Sequence, residues 1–278
     1  MLHSKKNCVL RWSMAKSYLS ALLGVLMAEG AIASLDDPVI KYAPKLKGSA
    51  YETASIRNVL NMASGVVFDE DYLAYDSDII RMGRVIALGG SLDGFSASFT
   101  ESFAAPGETW QYVSIDTHVI GMVVRGATGR EVPDLLSEKI IAPLGLEYDG
   151  YYVMDGDGTA FVLGGLNFIT RDFARFGQMI LQNGMYGGKQ VVPASWIADS
   201  TAASAPTAPD RMGYGYQWWI PVGAHEGEFM AHGVYGQYIY FDQSRGVLIT
   251  TTGADKLFLE PGVDEINVEM FRKIAQRL

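Results

Sequence analysis

The stretch Tyr18-Leu-Ser-Ala-Leu-Leu-Gly-Val-Leu-Met-Ala28 constrains this chain more than any other. Its apolar residues fall on nearly every face of a helix running from about Met14 to Glu29, so no side is left for water. Such a helix has to be enclosed by other layers of the protein, and it is too short to cross a bilayer. Gly30 supplies a stop, and Ser34-Leu-Asp-Asp-Pro38 supplies the turn that follows. A second pattern overlaps the first. Lys5, Lys6 and Arg11, the apolar run and Ala31-Ile-Ala33 together describe a secretory signal peptide with an A-x-A cleavage site. On pattern alone both readings stand.

The rest of the chain can provide the enclosing layers. It has 278 residues, 49% of them hydrophobic and 19% charged, enough to bury a full core. Disordered, collagen-like and coiled-coil classes are excluded on composition. A formal charge of −9 argues against binding nucleic acid or an anionic membrane. The single cysteine, Cys8, excludes an internal disulfide framework. His3, His118, His225 and His232 are scattered and form no H-E-x-x-H, so no metal and no organic cofactor is expected. A globular enzyme or binding domain remains.

Helical periodicity dominates from approximately residue 14 to 190. Ser55 to Gly65 has a serine start and a glycine stop, a second helix is expected from Ser114 to Gly126, and a third from Arg171 to Gly184. The sequence Pro193-Ala-Ser-Trp-Ile closes this group. Over approximately 191–278 the character changes. Tyr216-Gln-Trp-Trp-Ile, Glu228-Phe-Met-Ala, Gln237-Tyr-Ile-Tyr-Phe and Val247-Leu-Ile-Thr-Thr-Thr are aromatic and β-branched and are separated by turn residues, which predicts an antiparallel meander. Val263 to Leu278 returns to a helical period. The fold class expected is α+β.

Three local features carry possible chemistry. Ser13-Met-Ala-Lys16 stands at the mouth of the first helix, where residues three apart share a face and burial would lower the lysine's proton affinity. Backbone N–H groups at a helix N-terminus could also hold an oxyanion. Tyr112-Val-Ser114 precedes the second helix and could shuttle a proton. Ala231-His-Gly-Val234 ends a strand, where Gly233 permits close backbone approach and the next N–H could face a carbonyl. Each has an ordinary structural reading as well: a capping serine with a snorkelling lysine, a capping serine with a packed tyrosine, and a strand-end histidine. Two further patterns fail. The loop begun by Asp155-Gly-Asp-Gly158 has Leu166 where calcium needs a bidentate Glu, and Gly213-Tyr-Gly-Tyr has no strand-loop-helix setting for a phosphate.

The order S-x-x-K, Y-x-S, strand motif resembles the serine β-lactamase and penicillin-binding superfamily. More narrowly it is similar to the class C β-lactamase-like branch, which holds carboxylesterases and 6-aminohexanoate-oligomer hydrolases. Ser34-Leu-Asp-Asp-Pro-Val39, Asn61-Met-Ala-Ser-Gly65, Pro143-Leu-Gly145, Gly164-Gly-Leu-Asn167, Arg171 to Gly177 and Tyr214 to Trp219 extend the likeness over about Trp12 to Leu278. The resemblance implies one catalytic unit over 1–278, an antiparallel sheet flanked by helices joined to an all-helical region, with the site between them. It implies Ser13 as nucleophile, Lys16 as general base and Tyr112 as assistant base and proton donor to the leaving group. It further implies an oxyanion hole of the Ser13 and Val234 N–H groups, and substrate contacts at Ser114, His232, Gly233, Asn167 and Tyr72. A signal peptide cleaved after Ala33 would discard Ser13, so the buried helix is the expectation and a cytoplasmic location is favoured for the chain as given.

Three departures from the family pattern matter. Y-x-N has become Y-x-S. The K-T-G strand reads Ala231-His232-Gly233, so the cation that meets a β-lactam carboxylate is missing or replaced by His232. Only twelve residues precede Ser13, where family members carry a long stretch supplying a helix and strands, so the N-terminal portion is expected to be lacking. The expected activity is hydrolysis of a small-molecule substrate, a short-acyl ester or a linear amide such as an aminohexanoate oligomer, through an acyl-enzyme on Ser13, with a homodimer allowed. One alternative is a β-lactamase or D-Ala-D-Ala carboxypeptidase. Another, of a different class, is a truncated, catalytically silent homologue.

Overall fold

The computed structural model describes residues 9–10, by their backbone, and 12–278; His3, Lys5, Lys6, Cys8 and Arg11 lie outside the described residues. The helices are α1 (Met14–Ala28), α2 (Ile56–Leu60), α3 (Asp78–Ala87), α4 (Leu92–Ala97), α5 (Ser114–Thr128), α6 (Val132–Leu136), α7 (Ala142–Leu144), α8 (Thr170–Leu181), α9 (Ala194–Ser200) and α10 (Val263–Ala275). Short strands β1 (Val9–Leu10), β2 (Tyr151–Tyr152) and β3 (Leu166–Phe168) form one small sheet in the order β1-β3-β2. Strands β4 (Met185–Tyr186) and β5 (Lys189–Gln190) make a hairpin. The remaining strands are β6 (Gly213–Tyr214), β7 (Trp219–Ile220), β8 (Glu228–Gly233), β9 (Gln237–Asp242) and β10 (Val247–Thr251). They build an antiparallel meander ordered β10-β9-β8-β7-β6.

Helix α1 is buried from Met14 to Leu26, as its all-round apolar pattern requires. It packs between α5, α6 and α9 on one side and β8 and β9 on the other. The α1–α9 crossing depends on Gly24, where a Cβ would overlap the Trp196 ring at 2.3 Å. The meander is covered on both faces, which explains why all six β9 residues are buried rather than alternating. Phe229, Ala231, Ile239 and Phe241 join the main core. Met230, Tyr238 and Tyr240 pack on the other face against Val268 and Phe271 of α10. Among the described residues no helix is long and apolar enough to cross a membrane.

Several expected boundaries shift for local reasons. Ser55 does open a helix, through a capping box with Asn58, but α2 ends at Leu60. Met62 then takes a left-handed φ of 52°, and Gly65 sits in a turn pressed on the Ala104 carbonyl instead of stopping a helix. Helix α5 runs through Gly126 to a left-handed C-cap at Gly129. Its N-cap is Val113, so Ser114 is the first helical residue and is not a cap. The expected strand at 216–220 is reduced to Trp219–Ile220, because Gln217 adopts φ 70° and turns inward. There Gln217 donates to the Leu60 carbonyl, accepts from Thr117, and its own carbonyl accepts from Ser17, which ties α1, α2 and α5 together.

Candidate active site

The N-terminal turn of α1 meets the start of α5 and the loop carrying Leu163. Lys16 is 2% exposed. Its Nζ lies 2.7 Å from Ser13 Oγ, 3.3 Å from Ser114 Oγ and 3.0 Å from the Leu163 carbonyl. No carboxylate among the described residues touches it. Burial therefore lowers its pKa to about 7, with the negative charge of Glu70 opposing the shift. Ser13 occupies the N-cap position of α1 yet makes no capping bond with its side chain, which leaves Oγ to Lys16 and Tyr112.

Tyr112 completes this cluster. Its hydroxyl faces Ser13 and Ser114, and its ring centroid lies 5.2 Å from Lys16 Nζ. Burial, and to a lesser degree Glu70, hold the phenol well above its ordinary pKa, so it is protonated at neutral pH. The ring is held by Trp219 at 5.2 Å and by Tyr214 at 6.4 Å. Neutral lysine beside a serine hydroxyl can accept its proton, and a protonated tyrosine on the same oxygen can donate one.

Glu70 is a site residue that the sequence patterns did not single out. One carboxylate oxygen accepts from Ser114 Oγ at 2.5 Å and from the Tyr72 hydroxyl at 2.7 Å, and the other accepts from the Ser114 N–H at 2.9 Å. The N-terminus of α5 thus stabilises this charge. In the sequence it belongs to the run Asp69-Glu70-Asp71, which resembles an ordinary solvated loop; its neighbour Tyr72 was the available signal.

A cavity of about 490 Å³ opens at Ser13 and is lined also by Trp12, Tyr72, Ser114, Val234 and Tyr235. Among the described residues, neither the Ser13 N–H nor the Val234 N–H is engaged by an acceptor. Gly233 is paired with Gln237 at the end of β8, which delivers Val234 to the cavity.

Of the expected substrate contacts, Ser114 and Tyr72 line this cavity and Gly233, Asn167 and His232 do not. Asn167, in β3, is 2% exposed and donates to the Gly165 carbonyl. His232 stacks on Tyr238 at 4.6 Å, with Nε2 3.3 Å from Asp264. Neither lines the cavity; the Trp219 ring stands between His232, at 5.8 Å, and Tyr112, at 5.2 Å. Burial lowers the His232 pKa against the pull of Asp264. A second groove of about 600 Å³, between Leu136, Leu146, Tyr151 and Phe168, includes none of the Ser13 cluster. Among the described residues, no three His, Cys, Asp or Glu side chains are placed to hold a metal.

Comparison with known proteins identifies the scaffold. A family model described as Beta-lactamase matches residues 7–254. The 6-aminohexanoate-dimer hydrolase of Paenarthrobacter ureafaciens is 30% identical over 244 residues, covering 83% of this chain and 62% of that protein. Penicillin-binding protein 4* of Bacillus subtilis is 23% identical, over 82% of this chain and 56% of its own length. The chain therefore spans less than two thirds of these curated relatives. Among solved structures, a Bacillus anthracis protein assigned as a 6-aminohexanoate-dimer hydrolase superposes with a TM-score of 0.86 at 25% identity, covering 100% of this chain and 74% of that one. A family VIII carboxylesterase shares the fold, with a TM-score of 0.70 at 16% identity.

Proposed function

Because the chain belongs to the Beta-lactamase family, we propose that it is a serine hydrolase, cleaving small-molecule ester or linear amide bonds through an acyl-enzyme on Ser13. One observation carries the reading. Lys16 is a buried amine 2.7 Å from Ser13 Oγ, with its pKa lowered to about 7. At neutral pH a sizeable fraction of this lysine is uncharged and able to take the serine proton.

In the proposed cycle, Lys16 receives the Ser13 proton as Oγ attacks the carbonyl carbon. The resulting oxyanion is held by the Ser13 and Val234 N–H groups. Tyr112 donates its proton to the departing amine or alcohol and is reprotonated from Lys16, so the first half-reaction ends neutral. Water attacks the acyl-enzyme with its proton passing to the same lysine–tyrosine pair. Ser13 regains a proton and the acid leaves. Glu70 positions Ser114 and Tyr72 beside this relay and adds a negative charge that keeps Lys16 from losing its proton affinity altogether.

The β-lactamase or D-Ala-D-Ala carboxypeptidase alternative needs a cation beside the substrate carboxylate. Ala231 offers none, and His232 is occupied by Tyr238 and Asp264. The silent-homologue alternative finds no support in a serine, lysine and tyrosine held together in this way. The proposal extends to a homodimer. Ile266, Met270 and Ile274 form an exposed stripe on α10, flanked by Glu265 and Glu269 towards one end and Lys273 and Arg277 towards the other. Antiparallel pairing of two copies would set those acids against those bases. Sedimentation over a concentration series checks it, and a monomer throughout removes this part of the reading.

The test of the main reading is hydrolysis of 4-nitrophenyl butyrate by the chain and by Ser13→Ala. Loss of turnover to the buffer background in the variant supports it. Equal rates in both, or none in either, would overturn it.

A further inference from the structure

One wall of the Ser13 cavity is built by α3, through residues that include Ile79, Ile80, Met82, Gly83 and Arg84. Across from them stand Val153, Phe161 and Leu163. The cavity is therefore mostly apolar, and its width has a local cause: at Gly83, inside a helix, an added Cβ would meet nothing within 4 Å. A helix-interior glycine costs about 0.5–1 kcal/mol relative to alanine. Here that glycine leaves open space facing the cavity.

Among the described lining residues, Arg84 is the one charged side chain. Its Nη1 donates to the Tyr75 carbonyl at 2.5 Å and its guanidinium stacks on the Tyr75 ring at 4.5 Å. These contacts fix the planar group without neutralising it, since no carboxylate among the described residues lies within ion-pair distance of Arg84. A guanidinium carries five N–H donors, so most remain for a ligand. The neighbouring acid, Glu70, is already held by Ser114 and Tyr72.

The position of the cavity also selects a side of the scissile bond. Tyr112, which serves the leaving group in the proposed cycle, is absent from the lining, whereas Ser13 and Val234 are present. That division favours seating the acyl group in the cavity. Resting on the serine-hydrolase reading above, we propose that the enzyme prefers acyl groups with a flexible apolar chain ending in a carboxylate, the chain lying along α3 and the carboxylate on Arg84. The preferred substrates are then monoesters or monoamides of medium-length dicarboxylic acids. An acyl chain ending in an ammonium group would meet Arg84 with like charge.

The experiment compares three 4-nitrophenyl esters of six-carbon acyl groups: the adipate monoester, methyl adipate, and 6-aminohexanoate. Expected is a kcat/KM order of carboxylate, then neutral, then ammonium, with about tenfold between the first two, as a charge-assisted bond allows. Arg84→Gln should bring the carboxylate and neutral esters to parity, and Arg84→Lys should restore part of the gap. Gly83→Leu should slow all three while sparing 4-nitrophenyl acetate, which needs none of the cavity. Ser13-dependent turnover with the carboxylate and neutral esters equal in the parent chain, or with their ratio unchanged in Arg84→Gln, overturns this inference and leaves the serine-hydrolase reading intact. Absence of Ser13-dependent turnover on any ester overturns both.

Discussion

Two buried charges in this protein, the carboxylate of Glu228 and the amine of Lys16, are treated in opposite ways. At the sheet end of the molecule, Glu228 has a fully buried side chain and meets Arg272 through two bonds, of 2.7 and 3.0 Å. Tyr240 adds a hydroxyl at 2.7 Å and His225 approaches at 3.1 Å. Every lone pair of that carboxylate finds a donor, and the contacts on Arg272 raise its already high pKa. At the start of α1, Lys16 is equally enclosed but is given only two hydroxyls and one carbonyl. Its nearest negative charge acts at a distance and its pKa falls to about 7. The same element of cost, a charge removed from water, is answered by a counter-ion in one place and left standing in the other. A paired charge holds α10 on the sheet; an unpaired one is free to change protonation state at neutral pH.

Breaking each site should therefore produce opposite phenotypes. Lys16→Met should lower kcat/KM for 4-nitrophenyl butyrate by about 10³-fold, the usual loss for a general base. Thermal unfolding should show no loss of stability, because an unpaired buried charge is replaced by an apolar chain of similar length. A variant that unfolds instead would assign Lys16 a structural role. Glu228→Gln should do the reverse, costing about 2 kcal/mol and several degrees in melting temperature by stranding Arg272, with esterase activity per folded molecule preserved. Activity lost in proportion to Lys16→Met would erase the contrast.

A pH profile sharpens the comparison further. The proposed base works as the free amine, so kcat/KM should rise as pH increases through about 7, the lowered value of Lys16. Glu70 raises that value, so Glu70→Gln should move the acid limb to lower pH. A limb that moves upward would contradict the electrostatic assignment. The smallest effect is expected at His232, which touches Tyr238, Asp264 and Trp219 and does not line the cavity. His232→Gln should change ester hydrolysis by less than about threefold, and nitrocefin should remain unhydrolysed by either chain. Rapid nitrocefin turnover would restore the β-lactamase alternative.

The legible parts of this protein were those set by local spacing. The all-round apolar run marked α1 as buried, the aromatic and β-branched segments marked the meander, and S-x-x-K put Ser13 and Lys16 on one helical face. Ser114 could be seen, but its role could not: as a cap its hydroxyl would be spent on the backbone, and only the placement of Val113 as N-cap leaves it to Lys16 and Glu70. Gln217 read as strand and is a buried hub, because a left-handed backbone turns its amide towards Leu60 and Thr117, which are distant in sequence.

Sequence alone thus indicated the fold class and the family likeness, and through that likeness it named Ser13, Lys16 and Tyr112 as candidates, since periodicity and short motifs are properties of neighbouring residues. Tertiary structure decided the rest. It brought Glu70 to α5 across 44 positions and closed Leu163 over Lys16 across 147. It left Asn167 and His232 off the cavity lining and placed Arg84 on it. The physical reason is that a pKa, a cavity and a substrate contact depend on which distant groups exclude water from the same point, and no local pattern encodes that.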